Sequence, residues 1–508
     1  MKRLFAAIDA GSYELEMKIF EMGVKSGLKE LDHVRRRIDL GDDTYHTGMI
    51  SYSMMDVLCE ILRGFVDVMK TYDVEKYRAF GTSALRETSN TNVVLDQIKL
   101  RTGLDIRILS NSEQRFLEYK SVALKGERFE RLIEEGTIFV DIGGGSTQIS
   151  IFNKGKLITS VNLHLGILRI RDKIAKLEPD MSHYEQYVSE IILNELHIFK
   201  KLYLREYDIK NVIIIDDYVS AIMRRVGGEK ATDIVPASLY MEQFEQLRKK
   251  SPYQMAAYLG VSEESATLLL PSSLIINHII DATDAEKIWV PGVSLSDGIA
   301  YDYAERNKFM TSSHDFEKDI LSSAEFIAGR YVSSDTLSGE LVNAALSIFD
   351  GTKKVHGLGK RERLLLQLMA RLRDVGRYVT MSSPAEASYA IIMGSEIIGI
   401  SHMERVIVAT GVRNSYPNDI SYSEFEGKDF DEEGYRTAVK LTAILRVATG
   451  LSRSTRKTYD NIRSEIKNRE LVITVSSRDN LIVEKGLFFE RADTFEEVFG
   501  LRPVLKVR

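Results

Sequence analysis

The sequence predicts an α/β protein organised around two copies of a strand–turn–strand hairpin, each with an acidic residue just before a glycine-containing turn. The more distinctive copy is TIFVDIGGGSTQISIF at 137–152, where an apolar run ends in Asp141 and three glycines lead into an alternating strand. The second copy is RLFAAIDAGSYELEMKIF at 3–20, whose apolar run ends in Asp9. The two acids lie 132 residues apart, too far for one hairpin, so two duplicated domains are predicted.

Each hairpin turn has the residue types of an anion site. Glycines lack a Cβ atom and let backbone N–H groups approach a phosphate, and neighbouring hydroxyl groups add donors. An aspartate at the strand end is placed to hold a cation or a water molecule. An ordinary glycine-turn hairpin has the same backbone pattern, but the acid before the turn and the hydroxyls after it favour phosphate binding. The predicted phosphate contacts in the two turns are Gly11, Ser12, Gly143, Gly144, Gly145, Ser146 and Thr147.

Composition limits the classes of function. The chain has 508 residues, enough for three or four domains, and its 44% hydrophobic and 28% charged residues are ordinary for a globular protein. A net charge of −6 argues against a general nucleic-acid binder. The single cysteine, Cys59, excludes an internal disulfide and favours the cytoplasm. The N-terminus enters a strand without the features of a signal peptide, and no apolar run of membrane-spanning length is expected.

Three segments carry a resemblance to a known family: DIGGGST at 141–147, GTSALRETSN at 81–90 and LSNSEQRFLEYKSV at 109–122. They are similar to the exopolyphosphatase / guanosine pentaphosphate phosphatase (Ppx/GppA) family. Paired hairpins of this kind also mark the wider superfamily of actin, sugar kinases and heat-shock ATPases. The resemblance covers most of the chain and implies Mg²⁺-dependent release of terminal phosphate from polyphosphate or pppGpp.

The resemblance implies four domains. Two duplicated actin-like (ribonuclease H-like) α/β domains, 1–130 and 131–304, enclose a cleft; an all-α HD-like domain, 312–425, and a small α/β C-terminal module, 426–508, follow. In the HD-like domain Arg373 stands where the family signature has histidine, so the metal site is expected to be absent and the domain to be a helical scaffold. A basic stretch there is interpreted as a solvated helix face, with a polyanion groove as the alternative. That stretch comprises Lys360, Arg361, Arg363, Arg371, Arg373 and Arg377.

The tail module is predicted in more detail from its apolar patterns. Strands are expected at 470–475, 481–484 and 502–507, around a helix at 494–499.

The resemblance also assigns catalytic positions. In the family, a helix supplies the general base that accepts a proton from the attacking water. The family's Glu-Glu pair falls on Glu113 and Gln114, and its catalytic member falls on Gln114, an amide that orients water but accepts no proton. Glu113, Gln114 and Asp141 are therefore the predicted catalytic positions. Hydroxyls beside an arginine at a helix start fit either an anion site or a capped helix with a surface arginine. The resemblance favours phosphate contact there by Thr82, Ser83 and Arg86.

Several other positions depart from the family pattern. Tyr13 and Glu14 replace a small polar pair, and Gln148 replaces an acid. Asp216 and Asp217 replace a small turn against which the ligand lies, and their charges are expected to repel phosphate. A carboxylate at 14 repels phosphate too, unless Mg²⁺ lies between them. The predicted metal ligands are Asp9, Glu14 and Asp141.

Three functions follow. The first is a phosphatase acting on polyphosphate or pppGpp with Mg²⁺, in which Glu14 or Glu113 compensates for Gln114; restoring glutamate at 114 is then expected to raise activity. The second is a catalytically weakened or inactive relative that binds a phosphate polyanion as a regulator. The third, an ATP-dependent sugar or acid kinase, is less favoured by the matched segments. Polyphosphate or a guanosine polyphosphate is the expected partner, without nucleic acid or membrane, and a homodimer is left open.

Overall fold

A computed structural model gives the fold for eight stretches of the chain: 3–24, 27–177, 184–227, 233–331, 335–416, 430–452, 459–477 and 480–508. The chain forms two compact units, Met1–Asp315 and Phe316–Arg508. The boundary predicted between 425 and 426 lies outside the described residues.

The first sheet of the first unit has five strands, in the order β3-β2-β1-β4-β5. Strand β1 (Arg3–Ala10) pairs antiparallel with β2 (Glu14–Gly23), which pairs antiparallel with β3 (Gly27–Arg37). On its other side β1 is parallel to β4 (Lys76–Gly81), and β4 is parallel to β5 (Ile106–Ile108). The carboxyl ends of three parallel strands therefore meet at one edge, the position where α/β sheets place their ligands.

The second sheet has six strands, in the order β10-β11-β9-β6-β7-β8. Its centre repeats the first sheet: an antiparallel hairpin, β6–β7, lies beside the parallel strand β9. The second glycine turn joins β6 to β7, as the sequence predicts. The strands are β6 (Gly136–Ile142), β7 (Thr147–Asn153), β8 (Lys156–Leu163), β9 (Ile209–Ile215), β10 (Val235–Pro236) and β11 (Lys287–Trp289).

Helices cover these sheets, and serine caps fix several of their starts. Ser110 caps the helix at 111–123, because its hydroxyl accepts from the backbone N–H of Glu113. The helices of this unit are α1 (Leu40–Thr47), α2 (Tyr52–Thr71), α3 (Ser83–Glu87), α4 (Thr91–Thr102), α5 (Asn111–Ala123), α6 (Glu127–Glu134), α7 (Ile167–Leu177), α8 (Tyr184–Phe199, continued by a π-helical turn, Lys200–Leu204), α9 (Asp217–Gly227), α10 (Ala237–Leu247), α11 (Pro252–Leu259), α12 (Glu263–Thr283) and α13 (Leu295–Arg306).

Helix α12 corrects one sequence expectation. Its segment Ser265–Thr283 has the length and mean hydropathy of a membrane span, although no such run was expected. However, 67% of this segment is buried within the protein, and Ile275 and Ile279 belong to the core of the second sheet. These features are those of a core helix.

The second unit combines helices with a three-stranded sheet around one hydrophobic core, to which Leu441, Ile473 and Phe488 all belong. The helices are α14 (Phe316–Tyr331), α15 (Asp335–Gly351), α16 (Lys353–His356), α17 (Lys360–Leu372), α18 (Pro384–Gly394), α19 (His402–Arg413), α20 (Glu432–Leu451), α21 (Ile482–Glu490) and α22 (Ala492–Phe499), with a 3-10 turn at Val375–Tyr378. The strands are β12 (Asn461–Lys467), β13 (Glu470–Ser476) and β14 (Arg502–Val507).

The tail was predicted in part. Strands β13 and β14 and helix α22 were expected, but the strand predicted at 481–484 is wrong, because these residues open helix α21. A short apolar run, Leu481 to Val483, fits either structure, and packing of Phe488 in the core selects the helix. Strand β12 was missed.

Candidate active-site cleft

The two glycine turns lie against each other. A methyl group placed on Gly144 would be 3.5 Å from the Cβ atom of Ser12 in the first turn. One placed on Gly145 would be 2.7 Å from the Tyr45 hydroxyl and 3.5 Å from the Cβ atom of Ser83. Both hairpins, α1 and the start of α3 therefore border one cleft.

Three hydroxyl groups meet between these elements. The Ser12 and Ser83 hydroxyl oxygens are 2.8 Å apart, and the Tyr45 hydroxyl donates to Ser83 at 3.1 Å. The backbone N–H of Ala84 donates to Ser12 at 3.1 Å, which ties the first turn to α3. Thr82, also predicted to contact phosphate, is buried beside them. The sequence pattern gave no signal for Tyr45.

The second turn is held from behind by the start of α7. The Gly143 N–H donates to the Ser146 carbonyl at 2.9 Å, and the Leu168 N–H donates to the Gly144 carbonyl at 3.0 Å. The Thr147 hydroxyl donates to the Leu165 carbonyl at 2.7 Å, so its proton is directed at the backbone. A phosphate contact by the Thr147 hydroxyl stays a prediction.

A buried arginine that the sequence analysis did not select lies in this cleft. Arg115 on α5 is 3% exposed and forms an ion pair with Asp141 at the end of β6. The same guanidinium lies 3.2 Å from a Glu118 carboxylate oxygen and 3.3 Å from the Ser146 hydroxyl. The i, i+3 spacing of arginine and glutamate was the available signal, but it predicts only that they share a helix face.

Glu118 links this arginine to the predicted catalytic position. The Gln114 amide nitrogen donates to Glu118 Oε1 at 3.1 Å, and Arg86 Nη1 donates to Gln114 Oε1 at 3.4 Å. Glu118 is 6% exposed; burial raises its pKa, and Arg115 opposes that shift. Burial also lowers the pKa of Arg86, with the charge of Arg115 adding to the effect. A continuous polar chain therefore runs from Arg86 to Asp141.

The two carboxylates expected to compensate for Gln114 are engaged elsewhere. Glu113 Oε2 accepts from the backbone N–H and the hydroxyl of Ser110, at 3.0 and 2.9 Å, which caps α5. Glu14 Oε1 lies 3.2 Å from Arg35 Nε. The carboxylate that accepts a hydrogen bond from the Gln114 amide is that of Glu118.

Two other departures from the family pattern have different surroundings. Gln148 is the cross-strand partner of Asp141 and shares its face of the sheet. It is 1% exposed, and within the described residues neither atom of its amide has a hydrogen-bond partner, which calls for a water molecule or a ligand. Asp216, whose charge is expected to repel phosphate, accepts from the Val219 N–H at 2.5 Å and the Ser272 hydroxyl at 2.8 Å.

Two of the three predicted metal ligands, Asp141 and Glu14, are engaged by arginines, and a metal ion held by these two and Asp9 stays a prediction. The Asp141 carboxylate is engaged by Arg115, and Glu14 by Arg35. Within the described residues, the three groups close enough to share one ion lie at α1 and α7, with ligand atoms within 4.8 Å of one another. They are Asp42, His46 and Asp172.

Comparison with known proteins gives the family. The model of the Ppx/GppA phosphatase family matches residues 19–307, and that of Ppx/GppA phosphatase domain III matches residues 322–491. The chain belongs to the Ppx/GppA phosphatase family.

Its Ppx/GppA relatives span nearly the whole chain. The guanosine-5'-triphosphate,3'-diphosphate pyrophosphatase of Aeromonas hydrophila is 22% identical over 93% of this chain and 92% of its own length. The protein of the same name from Vibrio vulnificus is 20% identical over 88% and 87%.

Solved structures of similar proteins share this fold over about three-fifths of the chain. An exopolyphosphatase from Cytophaga hutchinsonii is 20% identical, with a TM-score of 0.54, and covers 61% of this chain and 100% of its own. The Aquifex aeolicus family member is 17% identical, with a TM-score of 0.51, over 60% and 99%. The predicted Ppx/GppA fold is thereby confirmed, while the HD-like domain and the separate C-terminal module stay predictions.

Proposed function

We propose that this chain is a phosphohydrolase that releases terminal phosphate from polyphosphate or pppGpp. The observation that carries the proposal is the convergence of both glycine turns, the start of α3 and a buried carboxylate, Glu118, on one cleft. Relatives named for cleavage of a guanosine polyphosphate align with about nine-tenths of the chain, which supports this substrate class. The cytoplasm is the proposed compartment, since the one cysteine, Cys59, is buried and unpaired.

In the proposed reaction the turns bind the terminal phosphoryl group and Glu118 accepts the proton. Backbone N–H groups of the turns and the Ser12 and Ser146 hydroxyls donate to the phosphoryl oxygens, and Arg86 adds positive charge. A water oxygen forms the new bond to phosphorus, and the bond to the bridging oxygen breaks. The bridging oxygen leaves with its electron pair on the shortened phosphate chain. Gln114 keeps the Glu118 carboxylate in place through its amide N–H.

We propose further that Arg115 replaces a divalent ion at Asp141. Its guanidinium neutralises a carboxylate that would otherwise repel phosphate, as a metal ion would. Titration with Mn²⁺ alone tests this. Wild type and Asp141→Asn are expected to bind Mn²⁺ equally well. Arg115→Ala is expected to bind additional Mn²⁺ through Asp141. Binding to wild type that depends on Asp141 would restore the metal site.

A second function is favoured by the same contacts. Gln114 cannot accept a proton, and Arg115 engages both Asp141 and Glu118, so the cleft also suits a regulator that binds a phosphate polyanion without cleaving it. Such a protein is stabilised by its ligand and releases no phosphate.

A phosphate-release assay over pppGpp, long-chain polyphosphate and ATP separates these functions. Phosphate release from one of the first two is expected, and Glu118→Gln is expected to lower it by about 10²–10⁴. Glu127→Gln, an exposed change on α6, is the matched control and should match wild type. Thermal stabilisation by pppGpp or polyphosphate without release supports the regulator. Release that survives Glu118→Gln removes Glu118 as the base.

A further inference from the structure

The two helices that contact the glycine turns bring three side chains with metal-ligand chemistry together. Helix α1 contacts the first turn, since the Gly41 N–H donates to the Ser12 carbonyl at 2.8 Å, and α7 holds the second turn. Asp42 and His46 belong to α1 and Asp172 to α7, and their ligand atoms lie within 4.8 Å of one another. The cluster therefore connects the helices behind the two turns.

Helix geometry explains only part of this cluster. Asp42 lies in the first turn of α1, where a carboxylate suits the helix dipole, and His46 follows it by four residues on the same face. Asp172 is different, because it comes from another helix and is 8% exposed. In the part of the chain that the structure describes, its Oδ2 atom is buried and has no hydrogen-bond partner. A buried carboxylate oxygen without a donor calls for a cation or a water molecule.

The distances around His46 match the ligand shell of a small cation. His46 Nδ1 lies 3.1 Å from Asp42 Oδ1 and 3.8 Å from Asp172 Oδ2. Two ligand atoms of a tetrahedral Zn²⁺ ion, each at about 2.0–2.1 Å, are about 3.3 Å apart. Nδ1 also lies 3.2 Å from the Asp42 backbone carbonyl, and it can bind an ion in the tautomer that carries the proton on Nε2. Asp172 Oδ2 therefore faces this nitrogen at a distance too long for a hydrogen bond and close to that between two ligands of one ion.

The carboxylates at this place share one loosely paired guanidinium, that of Arg171. Its nitrogen atoms lie 3.9 Å from Asp39, 3.6 Å from Asp42 and 3.3 Å from Asp172. All three distances are longer than the roughly 2.7–2.9 Å of a strong charge-assisted hydrogen bond. The carboxylates therefore keep the capacity to attract a divalent cation.

We propose that Asp42, His46 and Asp172 bind a divalent transition-metal ion of the Zn²⁺ type, which joins α1 to α7 beside the cleft. An imidazole nitrogen with carboxylates suits Zn²⁺, whereas Mg²⁺ prefers oxygen ligands. Three protein ligands leave a fourth position for water, in keeping with the exposure of Asp42 and His46. The site is separate from Asp141 and independent of the hydrolase function proposed for the cleft.

Zn²⁺ binding to the full chain tests the site, by competition with a chromogenic chelator and by thermal unfolding. His46→Gln and Asp42→Asn change exposed side chains and are expected to leave the fold intact. Asp172→Asn keeps the shape of the buried side chain and removes its charge. His197→Gln, which changes an exposed histidine on α8 of the same unit, is the matched control.

Wild type and His197→Gln are expected to bind one Zn²⁺ ion per chain and to unfold at a higher temperature with it. Each of the three ligand variants is expected to bind Zn²⁺ at least about tenfold more weakly, since even changes behind a metal ligand cost that much. Their gain in unfolding temperature from Zn²⁺ should shrink accordingly. Asp141→Asn should bind Zn²⁺ as wild type does, because the proposed ligands lie outside the glycine turns.

Three results overturn the proposal. The first is that wild type does not bind Zn²⁺. The second is binding that persists in Asp172→Asn; if His46→Gln has lost it, the ion is an adventitious one on the exposed pair of Asp42 and His46. The third is binding that Asp141→Asn loses and His46→Gln keeps, which would place the ion in the cleft.

Discussion

Replacing Gln114 with glutamate is expected to weaken the cleft, although the family pattern suggests the opposite. The Gln114 amide nitrogen lies 3.1 Å from Glu118 Oε1. A carboxylate there would put two negative charges about 3 Å apart, which opposes ionisation by about 1–5 kcal/mol at effective dielectric constants of 80 to 20. Arg86 and Arg115 offset part of this repulsion. The native Gln114→Glu variant therefore keeps one shared proton.

The sign of the pH dependence follows from that proton. Glutamates of the unfolded chain lose their protons near pH 4.3, whereas the native variant retains the shared one to higher pH, so it binds more protons than its unfolded state. The stability of Gln114→Glu relative to wild type should then fall as the pH rises from about 5 to about 8. Thermal unfolding of both proteins across this range measures the stability difference. The variant should also release phosphate more slowly than wild type at neutral pH.

Gln246→Glu, an exposed change on α10, is the control and should show no such trend. A constant stability difference between Gln114→Glu and wild type at every pH would refute the reasoning. So would higher phosphate release without any loss of stability, because glutamate at 114 would then be the missing base.

Three further changes test other contacts. In Gly166→Ala the new methyl group would lie 2.1 Å from the backbone of the second glycine turn, so the free energy of unfolding should fall by about 1–3 kcal/mol and phosphate should bind more weakly. Gly64→Ala, which has open space on α2, is the control and should raise the free energy of unfolding by about 0.5–1 kcal/mol. Equal effects of the two changes would contradict the close approach at Gly166. Gln148→Leu removes a buried amide, so the unfolding temperature should hold or rise while phosphate affinity falls; unchanged affinity would exclude Gln148 from the site. Burial alone would raise the pKa of Asp302, but Lys120 and two arginines outweigh it, so the pKa of the folded state is lowered. The ionised Asp302 carboxylate therefore contributes to stability above about pH 4, and this contribution is lost as the pH falls through the folded-state pKa. Acid unfolding of wild type and Asp302→Asn measures this contribution, and a stability difference that persists at low pH would contradict it.

The two hairpins could be predicted because residues close together in the sequence determine them. An apolar run, an acid, a glycine turn and an alternating strand specify the turn chemistry within some sixteen residues, and the structure places both turns at one cleft. Serine caps such as Ser110 are similarly visible in sequence.

Long-range contacts explain what the sequence did not show. Arg115 and Glu118 have ordinary helical spacing, and the pairing of Arg115 with Asp141 depends on how the fold brings α5 to the end of β6. For the same reason Glu113 was a plausible base in sequence, although its carboxylate caps α5.

The orthophosphate affinities of Ser12→Ala and Ser146→Ala test most directly whether both turns hold one phosphate. The two hydroxyls belong to different hairpins, and removal of either one is expected to lower the affinity about tenfold, as for loss of one hydrogen bond to a charged group. An affinity that changes in only one variant, or in neither, would contradict a shared phosphate site between the two hairpins.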